Sequence, residues 1–301
     1  MRPPLGQHFL HDEKAVKTIL AAAELKSTDT ALEIGPGQGV LTFELAKRVN
    51  RLVAIELDRK LAEALQKKFS GNGNVTILRA DFLKVTLNDV TPTKVGAQSI
   101  NDGLDPGFRR DDINNRIPVK VLGNLPYSIT SPIFEKLMAW PGWDVGIFLV
   151  QREVAERIAS RAGSRAYGIL TLAVQLFAEV ETILQVPPGA FTPPPKVSST
   201  VIRLRRKKFP AVPPEYIRDF FDFAHGAFAH RRKTIANSLA FFTGQKRASI
   251  ESWLCLQKIS ARARAETITF EEYAQLAVAW SIYRREMNLT SHPATSTILR
   301  T

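Results

Sequence analysis

Apolar runs of strand length alternate with amphipathic stretches through the first half of the chain. Runs at 30–34, 52–57, 75–79, 118–123, 145–150, 177–186 and 198–205 have the length and branched side chains of strands. Between them, 12–23, 38–49, 58–69 and 131–139 repeat apolar residues at helical spacing. Such alternation predicts an α/β fold in which helices cover both faces of a parallel sheet and ligands bind at the strand C-termini. After FPAVPP (209–214) only helical patterns remain, near 214–228, 231–241, 247–256 and 270–284. Pro210, Pro213 and Pro214 mark a domain boundary there. Phe220, Phe221, Phe223, Ala224, Ala227 and Phe228 fall on one broad helical face, expected to be core rather than a base-stacking surface. The chain contains no internal repeat.

Two segments break the pattern. Residues 92–117 are polar and rich in Gly, Asp and Asn, as expected of an inserted mobile surface loop. The alternative is an extra RNA contact through Arg109 and Arg110, which Asp111 and Asp112 weaken. Residues 288–301 read as a disordered tail.

Candidate chemistry sits at the predicted strand ends. TALEIGPGQGVLTFELAKR (30–48) reads as strand, glycine-rich turn and helix, with Gly35, Gly37 and Gly39 allowing the backbone to approach a ligand closely. A dinucleotide site is the competing reading, but its third glycine belongs one position later. Glu33 before the turn would repel phosphates and favours a cationic ligand end, which suits S-adenosylmethionine. Glu56 ends the next strand, 21 positions after Gly35, where a carboxylate can accept from both ribose hydroxyls; Asp81 ends the third and suits an adenine amino group.

LGNLPY (122–127) brings Asn124, Leu125, Pro126 and Tyr127 to the end of a fourth strand. An aromatic exocyclic amine is a poor nucleophile and needs positioning more than a strong base. The Asn124 oxygen and the Leu125 carbonyl could accept its two N–H bonds while Tyr127 stacks on the base. The plainer alternative is a strand end and Pro-Tyr turn with Tyr127 merely packed.

These blocks, with QHFL (7–10), ELD (56–58), ADFL (80–83), NLPYSITSPI (124–133), QREVAERI (151–158), FTPPPKVSSTVIRL (191–204) and HRRKTIANSL (230–239), make the chain resemble the small-subunit ribosomal RNA adenine dimethyltransferase family. The resemblance implies a Rossmann-like seven-stranded S-adenosylmethionine-dependent methyltransferase domain whose last strands are antiparallel, over residues 1–208, then a smaller all-helical RNA-binding domain over 209–287. It implies a cofactor site of His8, Leu10, Glu33, Gly35, Gly37, Glu56, Asp81, Phe82 and Asn124, and a target-adenine site of Asn124 to Tyr127 with Phe191 stacking on the base from its other side. The implied activity is dimethylation of adenines, two adjacent ones near the 3′ end of 16S RNA, with a role in small-subunit biogenesis. Erythromycin-resistance methyltransferases and DNA adenine methyltransferases are related alternatives, as is an RNA-binding factor that has lost the chemistry. FTPPPKVSS and HRRKTIANSL favour the small-subunit family, Leu125 departs from the two-proline site of the DNA enzymes, and intact Asn124, Tyr127, Glu56 and Asp81 argue against loss.

Charge adds a partner. Lys and Arg number 41 against 29 Asp and Glu, and residues 203–264 hold 14 of the cations against four acids. Concentrated positive charge with interleaved aromatics fits a phosphate backbone. Arg203, Arg205, Arg206, Lys207 and Lys208, then Arg231, Arg232 and Lys233, are the expected RNA contacts of a protein acting as a monomer on the small ribosomal subunit. The single cysteine, Cys255, excludes an internal disulfide and is expected in the core beside Trp253 and Leu254. The absence of an 18-residue apolar run and of an apolar leader in MRPPLGQHFLHD points to the cytoplasm and away from membranes; the chemistry calls for no metal.

Overall fold

A computed structural model describes residues 7–90 and 118–287; the expectations for 92–117 and 288–301 lie outside the described residues. Strand β1 (Phe9–Leu10) and helix α1 (Glu13–Ala22) lead into β2 (Thr30–Ile34), α2 (Val40–Ala46), β3 (Arg51–Glu56), α3 (Arg59–Lys68) and β4 (Val75–Arg79). Then come β5 (Val119–Asn124), α4 (Thr130–Ala139), β6 (Trp143–Gln151), α5 (Arg152–Ile158), α6 (Ile169–Phe177), β7 (Ala178–Val186), β8 (Phe191–Thr192) and β9 (Ser199–Arg206). Helices α7 (Ile217–Phe228), α8 (Ile235–Thr243), α9 (Arg247–Leu256) and α10 (Phe270–Glu286) follow. The predicted strands and most of the helices recur within a few residues.

Seven strands form one sheet in the order β4-β3-β2-β5-β6-β9-β7, and β1 pairs with β8 in a separate two-stranded ribbon. The pairs from β4 through β6 are parallel, whereas β6 and β9 are antiparallel. All five residues of β2 are buried, Thr30 and Glu33 included, as expected of a central parallel strand that meets helices on both faces. Side-chain caps start the flanking helices. Asp12 accepts from the Ala15 N–H at 2.7 Å, and Asp58 from those of Lys60 at 2.8 Å and Leu61 at 3.1 Å.

The chain divides into two compact units: the described residues up to Ala155 with Glu181–Arg206, and Glu156–Val180 with the residues from Lys207 onward. The sequence places a single boundary at 208/209, and this is corrected. Tyr167, Leu172, Ala173 and Leu176, from and beside α6, belong to the same apolar core as α7 to α10. The Lys207 N–H donates to Phe177 C=O at 2.8 Å and the Ala211 N–H to Leu176 C=O at 3.1 Å, holding the returning chain against α6. Helix α6 is not legible in the sequence because ILTLAVQLF is a nine-residue, largely apolar run, six of whose residues are buried, and periodicity alone does not tell so short a run from a strand.

In the second unit Phe220, Phe221 and Phe223 are fully buried among Trp253, Tyr273 and Trp280, as the apolar face predicts. Cys255 departs from expectation: α9 turns Ile250, Trp253 and Leu254 inward and leaves Cys255 exposed. The acid buried deep in this core is Asp222, which accepts from Trp280 Nε1–H at 2.9 Å and faces Arg284 Nε at 3.4 Å. Arg284 also bonds Asp219 at 2.8 Å.

Removing one partner of a buried ion pair leaves the other charge uncompensated. Arg284→Met should therefore lower unfolding stability by about 3 kcal/mol, read as a lower urea midpoint at unchanged slope. An unchanged midpoint would mean that Asp222 is satisfied without Arg284.

Candidate active site

The sheet order reverses at β2, whose neighbours β3 and β5 lie on opposite sides, so the C-terminal ends of these strands open a crevice. Register brings Ile34 beside both Ile55 and Gly123. The residues ending β2, β3, β4 and β5 thus meet at one edge. A cavity of about 210 Å³ lies there, lined among others by His8, Leu10, Glu33, Gly35, Gly37, Glu56, Asp81, Phe82 and Asn124 to Tyr127. Every residue expected at the cofactor site lines it.

The glycine turn is shaped by its backbone. Gly35 and Gly37 have φ of +68° and +59°, a region costly for other residues, and a Cβ on Gly37 would come within 3.1 Å of the Phe9 ring. Glu56 fastens the turn: its Oε2 accepts from Gly37 N–H at 2.9 Å and its Oε1 from Asp58 N–H at 2.8 Å. Each oxygen keeps a second lone-pair site, so the buried carboxylate still has acceptor capacity for a diol. Glu33 is 2% exposed, and its Oε2 has no hydrogen-bond partner. Burial pushes its carboxyl up to about 8; the nearby Thr42 hydroxyl opposes this without a bond of ordinary geometry, and the Glu56 charge adds to it. A buried acid of this kind is primed to receive a cation.

At the far side of β3, Asp81 Oδ1 accepts from Leu83 N–H at 3.0 Å, and the Phe82 ring is buried beside it. Asn124 Nδ2 donates to the His8 carbonyl at 2.9 Å, which leaves its oxygen as the acceptor available to the cavity. His8 Nδ1–H donates to Pro193 C=O at 2.7 Å, and its ring stacks on Tyr127 with centroids 5.6 Å apart. Tyr127 bonds Ser199 Oγ at 2.8 Å, and burial pushes its phenol up, so it is a fixed neutral ring. The Leu125 side chain is buried, with its N–H on Leu149 C=O at 3.0 Å; Pro126 C=O accepts from Ile129 N–H and from the Thr130 hydroxyl.

Phe191 differs from expectation. Paired opposite Leu10 in the β1–β8 ribbon, it alternates inward while Thr192 faces out, and at 2% exposure it belongs to the apolar core, not to the cavity lining. Phe9, which the sequence did not single out, lines the cavity instead. Its signal was faint, one aromatic in QHFL. Ser199, the partner of Tyr127, could be found only through the fold.

The expected RNA contacts divide. Arg203 is paired with Glu181 and Glu24, and Arg205 with Glu24. Arg206 donates to Met138 C=O at 3.2 Å and covers Trp143, and burial pulls its guanidinium down to about 10. Lys207 donates to Gln175 C=O at 2.6 Å and lies over Phe270. These four cations of RLRRKK, expected as RNA contacts, are engaged with partners within the protein. Lys208, Arg231, Arg232 and Lys233 are exposed. Arg231 donates to Arg165 C=O at 2.7 Å, and Arg264 to Arg231 C=O at 2.6 Å, which brings arginines distant in sequence together. Among the described residues no group of three His, Cys, Asp or Glu side chains is placed to hold a metal, and no helix is long and apolar enough to cross a membrane.

Comparison with known proteins gives a consistent result. A family model described as ribosomal RNA adenine dimethylase matches residues 1–280. Ribosomal RNA small subunit methyltransferase A of Nostoc sp. strain PCC 7120 is 38% identical over 284 residues, covering 92% of this chain and 96% of that protein. The protein of the same name from Geobacillus sp. strain WCH70 is 37% identical over 279 residues, covering 91% and 90%. A dimethyladenosine transferase from Plasmodium falciparum shares the fold at a TM-score of 0.68 and 21% identity, over 95% of this chain and all of that one. The 23S rRNA methyltransferase ErmE has a TM-score of 0.63 and 27% identity over 91% and 99%. With its mostly parallel seven-stranded sheet, its glycine turn and its Asn-Leu-Pro-Tyr loop at the strand ends, this chain belongs to the ribosomal RNA adenine dimethylase family.

Proposed function

We propose that the chain uses S-adenosylmethionine to place two methyl groups on the exocyclic nitrogen of adenine in small-subunit ribosomal RNA. The observation that carries this reading is the fixed orientation of Asn124. With its amide N–H on the His8 carbonyl, its oxygen faces an incoming amine as acceptor.

The cavity residues fit an adenosyl sulfonium ligand. Gly35 and Gly37 give a cradle that side chains would fill, Glu33 Oε2 is a buried acceptor without a partner, and Glu56 keeps acceptor capacity for ribose hydroxyls. Asp81 and Phe82 would hold the adenine, the carboxylate accepting its amino N–H and the ring packing on its face. When bound, this group supplies a methyl on positively charged sulfur, an electrophile that needs no metal.

The protein's part is to position the target. The Asn124 oxygen and the Leu125 carbonyl accept from the target amine and raise electron density on its nitrogen. His8 covers one face of Tyr127, so the target base is assigned to the other, as required for an adenine extruded from its helix. The amine proton becomes strongly acidic as the new bond forms and passes to water, so no side chain need serve as base. After one transfer the remaining N–H can still be gripped, and no charged group of the loop opposes a methyl. Exposed Lys208, Arg231, Arg232 and Lys233 suit the phosphates of folded RNA, which steer without reading sequence.

Purified protein, labelled cofactor and unmodified small subunits should yield dimethyladenosine on nucleoside mass spectrometry. Modification confined to large-subunit RNA would point to the resistance-type reaction, and cofactor binding without any transfer would point to a non-catalytic factor. Tyr127→Ala should slow transfer about ten- to a hundred-fold, in line with 1–3 kcal/mol per stacked base, while leaving cofactor affinity nearly intact. Normal turnover would remove the stacking role.

For the cofactor, Glu56→Ala should weaken binding by roughly 1.5–3 kcal/mol in isothermal titration, and wild-type affinity would exclude the ribose contact. Glu33 gives a pH test. Its carboxyl is protonated in the free folded protein below about 8, and a cation beside it favours ionisation. Binding at pH 7 should therefore release up to one proton, with affinity rising towards pH 8 and then levelling. In the free protein the sign reverses. Because its folded pKa is raised, Glu33 contributes stability below the usual carboxylate range that is lost as pH rises towards 8. Titration in buffers of different ionisation enthalpy measures the proton count, and Glu33→Gln should abolish it.

A further inference from the structure

Lys136 is an anomaly among the basic residues. It is 9% exposed, and no other lysine or arginine among the described residues is buried to this degree. Burial lowers the pKa of its ammonium, which the charge of Asp81 partly offsets. The Nζ donates to the Leu83 carbonyl at 2.9 Å and to the Val85 carbonyl, and stands 5.5 Å from the centroid of the Phe82 ring. These carbonyls belong to the single 3-10 turn, Phe82–Lys84 and its cap Val85, that follows Asp81. The turn's own bonds are local: Lys84 N–H on Asp81 C=O at 2.8 Å, Val85 N–H on Phe82 C=O at 3.4 Å, and Leu83 N–H on the Asp81 side chain at 3.0 Å.

The other end of the same helix reaches the target loop. At the start of α4 the Thr130 hydroxyl donates to Pro126 C=O at 3.0 Å, and the Ile129 N–H donates to the same oxygen at 3.2 Å. Six residues later, about 9 Å along the helix axis, Lys136 grips the Asp81–Val85 turn. Lys136 does not line the cavity, although Asp81, Phe82 and the Asn124–Tyr127 loop do.

We propose that Lys136 is a positioning residue that holds the adenine-binding turn of the cofactor site at a fixed distance from the target-base loop, with α4 as the strut between them. The inference rests on the cofactor reading above. Its chemistry is ordinary: a cation donating to two carbonyls at the end of a short, partly buried turn ties that turn to α4, and its position over Phe82 holds that ring. Without the ammonium the turn loses two bonds, and the cofactor must order it on binding.

Lys136→Met keeps the stem and removes the donors. In this variant the amides of residues 82–85 should exchange hydrogen faster than in the wild type, and the dissociation constants of S-adenosylmethionine and S-adenosylhomocysteine should rise about ten-fold. With saturating cofactor, kcat on small subunits should fall less than the affinity does. Lys136→Arg, which keeps charge and donors, should restore affinity to within about three-fold. If Lys136→Met does not fold, Lys136→Gln, which removes the charge and shortens the stem while keeping two amide N–H donors, carries the same two measurements. Wild-type exchange and wild-type affinity in the folded variant would overturn the proposal, as would a lower melting temperature with unchanged affinity, the mark of a purely structural role. Neither binding nor exchange involves RNA. Failure of the wild type to methylate RNA would therefore sink the functional reading alone, and failure of wild-type protein to bind either nucleoside would sink the cofactor reading.

Discussion

The carboxylate of Glu56 is the interaction on which the site depends. It ends β3, receives the Gly37 N–H from the turn after β2, and receives the Asp58 N–H where α3 begins. Three segments are thereby pinned at the point where the sheet order reverses. The turn needs this anchor, because glycines at positive φ pay the largest entropic penalty on ordering and bring no side chain to pack. Buried among backbone donors, the carboxylate is satisfied and still retains acceptor sites towards the cavity. One side chain thus supports the fold and can receive a ligand.

The neighbouring acid is treated in the opposite way. Glu33, two residues before Gly35, is buried with one oxygen unpartnered, and its proton affinity is raised accordingly. Two carboxylates at the ends of adjacent strands therefore differ in their hydrogen bonding: Glu56 accepts from two backbone N–H groups, whereas Glu33 Oε2 has none. Under the proposed reading, in which a cation and a diol bind side by side, this difference is an advantage. The neutral acid limits repulsion before the ligand arrives, and the hydrogen-bonded one is preorganised.

Charge alone was a poor guide to which cations stand free at the surface. RLRRKK reads as six residues with five cations, yet Arg203 and Arg205 meet Glu181 and Glu24, Arg206 covers Trp143, and Lys207 covers Phe270. Acidic partners came from segments as remote as Glu24, and long cationic stems pack on aromatic faces as readily as they reach into water. The exposed set, Lys208 with Arg231, Arg232 and Lys233, is smaller, and Arg165 and Arg264 join it through backbone carbonyls.

By itself the sequence determined the seven strands of the main sheet and most of the helices between and after them, the strand ends at or just beyond which Glu33, Glu56, Asp81 and Asn124 lie, and the aromatic core face of α7. These are written in local periodicity and in glycine and proline punctuation, which neighbours along the chain suffice to produce. Only tertiary structure decided the rest. Phe191 became core and Phe9 cavity lining because a two-residue ribbon fixed which face each presents, and so short a ribbon leaves no period to detect. Helix α6 joined the helical unit because Leu172, Ala173 and Leu176 pack into that core, a property of the partner as much as of the segment. Lys136 looks like any helical lysine until the fold sets it against the carbonyls of Leu83 and Val85, about fifty residues away. Bonds across such separations follow from how elements pack, which the order of residues does not spell out.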